Sequence, residues 1–496
     1  MVSMDGHHSS SLLYVAGEPS NDQMTGSISL RSTSGALRRM VPTMPTSLKQ
    51  ARLFVERQLG SHTAQELRAR LQAGAEPAPE RIPGGTALTP ERISERWQAL
   101  KASAQVQAAI ADPAALSGMQ AYAHNIENFI GTLKVPIGVA GPLRVHGLFA
   151  HGDYFLPLAT TEAALVASFD RGARVLAEAG GCTAMLLNEG VARAPGFAFK
   201  SLADAGEFVL WAMKQGEEFQ AVADATTHHG HLTDVRVTVE GNHVYLHLEF
   251  TTGAAAGQNM VTIATDAVCQ YIRAHSPVAP AYSFVEANLS GDKKASVLAF
   301  TSVRGKKVTA EVTLSRALVD RRLHTTPERM EQYWRMSALG GVMSGTIGVQ
   351  GHYANGLAAL YLATGQDVAC VAESAVGVTR MERTEDGSLY AAVTLPNVIV
   401  GTVGGGTGLP SQRACLELLG LATPEGTPAL AEVCAATALA GEISIIGALS
   451  AEEFVRAHRR LARGKAEPQA EPAAANRPRT DNSTSTIQRR APNSAA

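Results

Sequence analysis

Asp292, Lys293 and Lys294 stand together after a Ser-Gly pair, and Asp367 closes the apolar run ALYLATGQD (359–367). Thr160 or Thr161 is expected to cap a helix that runs to about Ala179 and carries Glu162 in its first turn. A carboxylate in a first helical turn is favoured by the helix dipole alone, and an acid followed by two lysines also suits a solvated loop. Asp367 is harder to dismiss, because a carboxylate ending an apolar run is costly to bury without a partner. VIVGTVGGGTGLP (398–410) reads as a strand, a tight glycine loop and a helix from Pro410. Backbone N–H groups at such a turn suit a phosphate, an amide or an oxyanion, although glycines also serve simply to turn a chain. Ser450-x-x-Glu453 has the spacing of a capping box for a helix that carries His458 one turn after Phe454. Two carboxylates, a lysine, a histidine and a glycine loop together suit reduction of a carbonyl by a nicotinamide, with acids to protonate an oxygen and a leaving group.

The elements that must position these groups are partly legible. Thr63 and Glu66 form a capping box ahead of Leu67 and Leu71. Thr89 caps a second helix with Pro90 at its first position, and Ile93, Trp97 and Leu100 share one face of it. We read residues 48–130 as a small helical domain. Residues 131–194 and 288–465 read as a large mixed region, and 195–287 as an α+β module inserted within it. In that module, VRVTVEGNHVYLHLEF (235–250) alternates as a hairpin turning at Glu240-Gly241-Asn242, followed by a helical stretch over Asn259–His275. Residues 1–47 have no sustained period, and 466–496 are rich in Pro, Ala, Ser, Thr and Asn. Neither composition buries enough apolar surface to offset chain entropy, so both ends are expected to be disordered.

Composition narrows the classes further. Lys and Arg number 43 against 45 Asp and Glu, for a net charge of -2, which argues against nucleic-acid binding by phosphate neutralisation and against general adhesion to anionic membranes. Five cysteines stand singly with no CxxC pair, the usage of reduced thiols in a cytoplasm. No unbroken run of 18 apolar residues is present, so a soluble, cytoplasmic protein is expected. Aromatics are 5% and glycines number 46, a balance that favours close backbone packing and glycine loops over a β-sandwich.

The order and wording of seven segments carry a family resemblance: ENFIGTLKVPIGVAGPL (127–143), ATTEAALVASFDRG (159–172), AAGQNM (255–260), GDKKA (291–295), TGQD (364–367), GTVGGGTGLP (401–410) and GEISIIGALSAEEFVRAH (441–458). Over roughly residues 60–465 the chain closely resembles the 3-hydroxy-3-methylglutaryl-coenzyme A (HMG-CoA) reductases, in the soluble form of their class I branch. The resemblance implies a mixed α+β fold: a large substrate domain around a long central helix, an inserted ferredoxin-like cofactor domain and a small N-terminal helical domain. It also implies a four-electron reduction of HMG-CoA to mevalonate with two NADPH and release of coenzyme A, no metal, and a homodimer or higher even assembly joined in part through ENFIG (127–131).

Roles carry over at matching positions. Lys293 would stabilise the oxyanion formed on hydride attack, Glu162 would protonate the aldehyde oxygen, Asp367 would sit between them, and His458 would protonate the departing thiolate. Arg193 and Lys294 match groups that grip the HMG carboxylate, Ser290 is the candidate serine beside it, and Asn355 fits the polar position near the Lys–Asp pair. Arg171 and Arg174 are candidate coenzyme A phosphate contacts or, equally, a solvated helix face. Gly257 and Asn259 match the dinucleotide motif, Gly404, Gly405 and Gly406 its glycine loop, and Thr227 and His228 the positions holding the 2′-phosphate of NADPH. Three departures stand out. Ala254 replaces a common aspartate, the NLSGDKK loop is short, and Gly464 occupies the place of a regulatory serine in eukaryotic members. The first two leave open a CoA-ester-binding paralogue without turnover, and an NADH-linked enzyme running in the oxidative direction is a further alternative.

Overall fold

The computed structural model describes residues 47–59, 63–72, 81–302 and 304–452. By packing, the described elements fall into two units divided between Pro79 and Glu80. The first holds α1 (Leu48–Leu59) and α2 (Ala64–Leu71), whose capping box forms as expected: the Thr63 hydroxyl accepts from the Glu66 N–H, and the Glu66 carboxylate accepts from the Thr63 N–H. The helical stretch expected over 48–130 is thus divided, because amphipathic patterning marks helices without saying which of them share a core.

The second unit begins with α3 (Pro90–Leu100), α4 (Ala104–Ile110) and α5 (Pro113–Ser117). Thr89 caps α3 and Pro90 opens it; Ile93 and Trp97 are buried, but Leu100, the last residue of the helix, is exposed. Arg96, fully buried, donates to the carbonyls of Pro83, Gly85 and Phe129, while the Trp97 indole donates to Ile130. Those bonds fix the ENFIG segment against α3.

Next come β1 (Ile137–Gly147), β2 (His151–Ala159), α6 (Leu165–Glu178) and β3 (Cys182–Arg193). The inserted module follows as β4 (Gly196–Ala198), α7 (Leu202–Ala212), α8 (Gly216–Asp224), β5 (His231–Glu240), β6 (His243–Thr251), α9 (Gln258–His275) and β7 (Tyr282–Phe284). The expected hairpin is present, with Glu240 opposite His243. The chain then runs through α10 (Leu298–Thr301), β8 (Gly305–Leu314), α11 (Arg316–Leu323), α12 (Pro327–Ser344), α13 (Tyr353–Thr364), α14 (Val371–Ser374), β9 (Val378–Arg383), β10 (Leu389–Val398), α15 (Pro410–Leu418) and α16 (Gly426–Ser450).

The strands join in one sheet along the order β7-β4-β6-β3-β8-β10-β9, with β1 and β2 beside β3 and with β5 on β6. β3 is the hinge of this arrangement. Its first residues pair with β1 in parallel, its middle with β8 and its last, Val191–Arg193, with β6 of the inserted module. Two large cores result. One gathers β1–β3, β8, β10, α6, α13 and α16, and the other fills the module around Phe197, Phe208, Phe219 and Phe250.

α16 passes through the larger core and is buried on every side. Its 25 residues are long and apolar enough to cross a membrane, yet 89% of its most apolar window is covered by the protein itself. α6 lies against it so closely that a Cβ on Gly172 would stand 1.9 Å from the Ala440 carbonyl oxygen. Gly172→Ala is therefore expected to lower stability by about 1–3 kcal/mol through overpacking, read as a lowered denaturant midpoint; an unchanged midpoint would contradict this packing.

Candidate active site

Lys293 lies in the turn between the module and α10, and its backbone is left-handed at φ 56°, a conformation that costs a non-glycine residue roughly 1 kcal/mol or more. Its ammonium Nζ stands 2.7 Å from Asp367 Oδ2. Asp367 follows the C-terminus of α13, where its other oxygen accepts from the Ala369 N–H at 3.0 Å. Partial burial opposes ionisation of Asp367, but the Lys293 ammonium and the Ala369 N–H outweigh it and hold the carboxyl below its ordinary value. The same hydrogen bond, donated by Lys293 to Asp367, raises Lys293 against partial desolvation. The pair is thus ionised through neutral pH.

The glycine loop is held against this pair by close backbone packing. Gly365, at φ 72°, ends α13, and a Cβ there would lie 2.3 Å from the Gly406 carbonyl oxygen. The Gln366 side chain ties the same two segments, donating to the Gly401 carbonyl and accepting from the Gly401 N–H, each at 2.9 Å. Gly404 and Gly405 also have positive φ, but their missing Cβ atoms would point into open space. The Asn125 amide donates to the Gly405 carbonyl at 2.7 Å.

These parts line one cavity of about 620 Å³ together with Arg193 and with Gly257, Asn259 and Met260 at the start of α9. Gly257 takes φ 73° as the residue preceding that helix, and a Cβ there would collide with Thr252. Arg193, at the end of β3, donates through Nε to Thr262 and through Nη2 to the Gln258 carbonyl. Its Nη1 lies 3.1 Å from Asp292 Oδ2 but makes no aligned hydrogen bond.

Under Lys293 is a buried charge network that sequence reasoning missed. Glu373 on α14, 1% exposed, accepts through Oε1 from Arg304 Nη1 at 2.6 Å and from the Lys293 backbone N–H at 3.0 Å. Arg304 also donates to Asp292 Oδ1 at 2.5 Å. Burial pushes the Glu373 carboxyl up to about 7 against the opposing pull of Arg304. Nothing in the spacing of AESAV marks Glu373, because its partners are far away in sequence.

Glu162 is placed differently from expectation. α6 begins at Leu165 behind Ala164 in the left-handed region, so Thr160 and Thr161 do not cap it. Instead Thr160 Oγ1 accepts from the Glu162 N–H in a local turn, and Glu162 stands exposed ahead of the helix. Its carboxylate accepts from Asn355 Nδ2 at 2.8 Å. Asn355 occupies the first turn of α13 and Asp367 follows its last turn, so the Glu162–Asn355 and Lys293–Asp367 contacts attach near opposite ends of that helix, whose 12 residues span about 18 Å at the usual rise. Neither Glu162 nor Asn355 lines the cavity.

The other expected residues divide similarly. Ser290 is buried, donating to Glu286 and accepting from the Asp292 N–H, while Lys294 is exposed. Thr227 donates to the sulfur of Met260, which places it beside the cavity, whereas His228 is exposed and outside the lining. Arg171 donates to the Ser444 hydroxyl and carbonyl of α16, and Arg174 pairs with Asp170 on the exposed face of α6. His458 lies outside the described residues, as does Gly464. Ser450 is the last residue of α16, with its hydroxyl donating to the Gly447 carbonyl, and its expected capping partner Glu453 also lies outside them.

A lysine cation fixed by a carboxylate, set beside an arginine and an open glycine loop, belongs to the chemistry of oxidoreductases acting on carbonyl compounds. Comparison with known proteins makes the class particular. Residues 92–463 match the family model for hydroxymethylglutaryl-coenzyme A reductase. The 3-hydroxy-3-methylglutaryl-coenzyme A reductase of Pyrococcus horikoshii is 42% identical over 68% of this chain and 84% of its own. That of Haloferax volcanii is 43% identical over 68% and 85%. Among solved structures, the class II enzyme of Streptococcus pneumoniae bound to NADPH in open conformations aligns with a TM-score of 0.54 and 20% identity, covering 72% of this chain and 96% of that one. The chain belongs to the hydroxymethylglutaryl-coenzyme A reductase family and is an oxidoreductase with that family's mixed α/β fold.

The ion pair yields a direct test. Because the folded value of Asp367 is depressed, the pair's contribution is present at neutral pH and disappears as pH falls through that value. The carboxyl carbon of Asp367, followed by NMR, is expected to titrate below the ordinary aspartate range and to move upward in Lys293→Met. An unmoved midpoint would remove Lys293 as its partner.

Proposed function

We propose that this enzyme reduces (S)-HMG-CoA to (R)-mevalonate in four electrons, using two NADPH and releasing coenzyme A. The observation that carries the reading is the 2.7 Å Lys293–Asp367 pair opening on the cavity that Arg193, the start of α9 and the glycine loop also line. The residues present fit a dinucleotide. Gly404 and Gly405 leave their backbone uncovered, and α9 presents N-terminal N–H groups where an anion is favoured. Gly257, Asn259 and Gly404–Gly406 would hold the dinucleotide, with Thr227 and His228 toward its 2′-phosphate; the module 195–287 would be its ferredoxin-like domain. NADPH supplies hydride equivalents when bound.

The chain's own residues do the rest. Lys293 places a cation against the carbonyl oxygen and stabilises the charge that develops there, while Asp367 keeps that cation in place. Nη1 of Arg193 is the guanidinium edge free of aligned hydrogen bonds, suited to a substrate carboxylate, with Lys294 and Ser290 nearby in sequence. Asn355 orients Glu162, which delivers a proton to the aldehyde oxygen. His458 protonates the thiolate of coenzyme A. Arg174, paired with Asp170 but largely exposed, is more accessible to a phosphate than Arg171, which is engaged with α16.

Glu162 and Asn355 lie outside the cavity that Lys293 and Asp367 line, which supports a homodimer in which two copies complete the site. Met336, Leu339, Val342 and Met343, exposed on α12, supply apolar surface for such an assembly. The order and wording of the sequence motifs favour the soluble class I branch, and with it a cytoplasmic enzyme of isoprenoid biosynthesis.

Purified protein given HMG-CoA and NADPH is expected to oxidise the nicotinamide and liberate free thiol, with NADH a poorer donor. HMG-CoA binding without thiol release would overturn the proposal, and an NADH preference would overturn the cofactor assignment. Lys293→Ala should abolish both reductions while HMG-CoA still binds. His458→Gln should impair thioester reduction more than reduction of mevaldehyde, and equal losses would exclude the thiolate role.

A further inference from the structure

Lys293 is the group on which the proposed reduction turns, yet it sits on a turn whose backbone would not hold it unaided. Asn288, Gly291 and Lys293 all have positive φ, and a lysine in the left-handed region relaxes unless its surroundings over-determine it. The Lys293–Asp367 contact orients the ammonium, but it joins two side chains that are each about two-fifths exposed, and such an ion pair does not fix the backbone of the turn. The stronger restraint comes from beneath. Glu373 accepts the Lys293 N–H, and its own position is secured by Arg304, which is itself 1% exposed and reaches Asp292, the residue before Lys293. The adjacent Ser374 hydroxyl accepts from both the Tyr361 hydroxyl and the Ile399 N–H, so the short helix carrying Glu373 is pinned to α13 and to the strand end.

Resting on the functional reading above, we propose that Glu373 is a positioning residue for the reaction, holding the Lys293 backbone by accepting its N–H through Oε1. Oε2 is buried and has no hydrogen-bond partner among the described residues, so the same oxygen serves both Arg304 and Lys293. The role therefore depends on the reach of an acceptor rather than on negative charge. A purely structural role, keeping the buried Arg304 neutralised, would depend on charge instead.

Two substitutions separate these roles. Glu373→Asp keeps the charge but is one methylene short of the Lys293 N–H. Glu373→Gln keeps the reach and a carbonyl acceptor but loses the charge. Positioning predicts that Glu373→Asp lowers kcat about ten- to a hundredfold, as misplacement of a reacting group does, with KM for HMG-CoA unchanged. It also predicts that Glu373→Gln retains kcat close to the natural value. The reverse order, equal losses in both variants, or no loss in either would overturn the proposal. Failure of the natural chain to reduce HMG-CoA would instead overturn the functional reading, and is scored before either variant is compared.

Discussion

Two carboxylates are buried at full depth along α16, and the backbone around them is arranged to receive them. Glu432 accepts N–H bonds from Leu148, Phe149 and Ala150 at the β1–β2 turn and from Leu186 of β3. Glu442, three turns further on, accepts from the Gly351 and His352 N–H groups and from the Thr379 hydroxyl. Placing a carboxylate in a core costs several kcal/mol, and hydrogen bonds to an ionised group contribute about 1.5–3 kcal/mol each. Only a carboxylate with several such donors can be kept there. Burial raises the Glu442 carboxyl, while Thr379, Gly351 and His352 pull the other way. These two residues turn an otherwise featureless apolar helix into a frame with fixed attachment points.

The frame reaches the site through α13. Glu442 fixes residues 351 and 352, immediately before that helix starts at Tyr353, and the Phe169 ring of α6 stacks on His352 with centroids 5.0 Å apart. The first turn of α13 then presents Asn355 to Glu162. Its last turn ends at Gly365, packed on Gly406, and delivers Asp367 to Lys293. One rigid helix therefore sets both carboxylates that the functional reading needs, each at one of its ends. β3 performs a comparable service on the other side, carrying Arg193 from the large sheet into the edge of the inserted module.

Chemistry-bearing residues were legible in the sequence where the local chain states their purpose. Asp367 ending an apolar run announced an unmet charge, and the structure supplies Lys293. The glycine loop, the 235–250 hairpin and the Thr89-Pro90 helix start were likewise local, since turn and cap chemistry is decided within a few residues. Thr160 and Thr161 misled, because the helical periodicity extends past the point where Ala164 turns left-handed and the helix begins. Glu373, Arg304 and Arg96 gave no signal at all. Each is a buried charge whose partners are brought from elsewhere in the chain, so no window of sequence contains the reason for it.

By itself, then, the sequence determined the kinds of groups available, several local starts and turns and, through the order of its motifs, the family. Tertiary structure decided which groups meet. It joined Lys293 to Asp367 and Glu162 to Asn355 at opposite ends of one helix, tied Arg171 to α16, and placed Glu373 beneath the reactive lysine. The physical reason is one of range. Caps, turns and periodicity are interactions between near neighbours, whereas a buried charge is stable only among donors gathered from distant segments, and that gathering exists only once the core has closed.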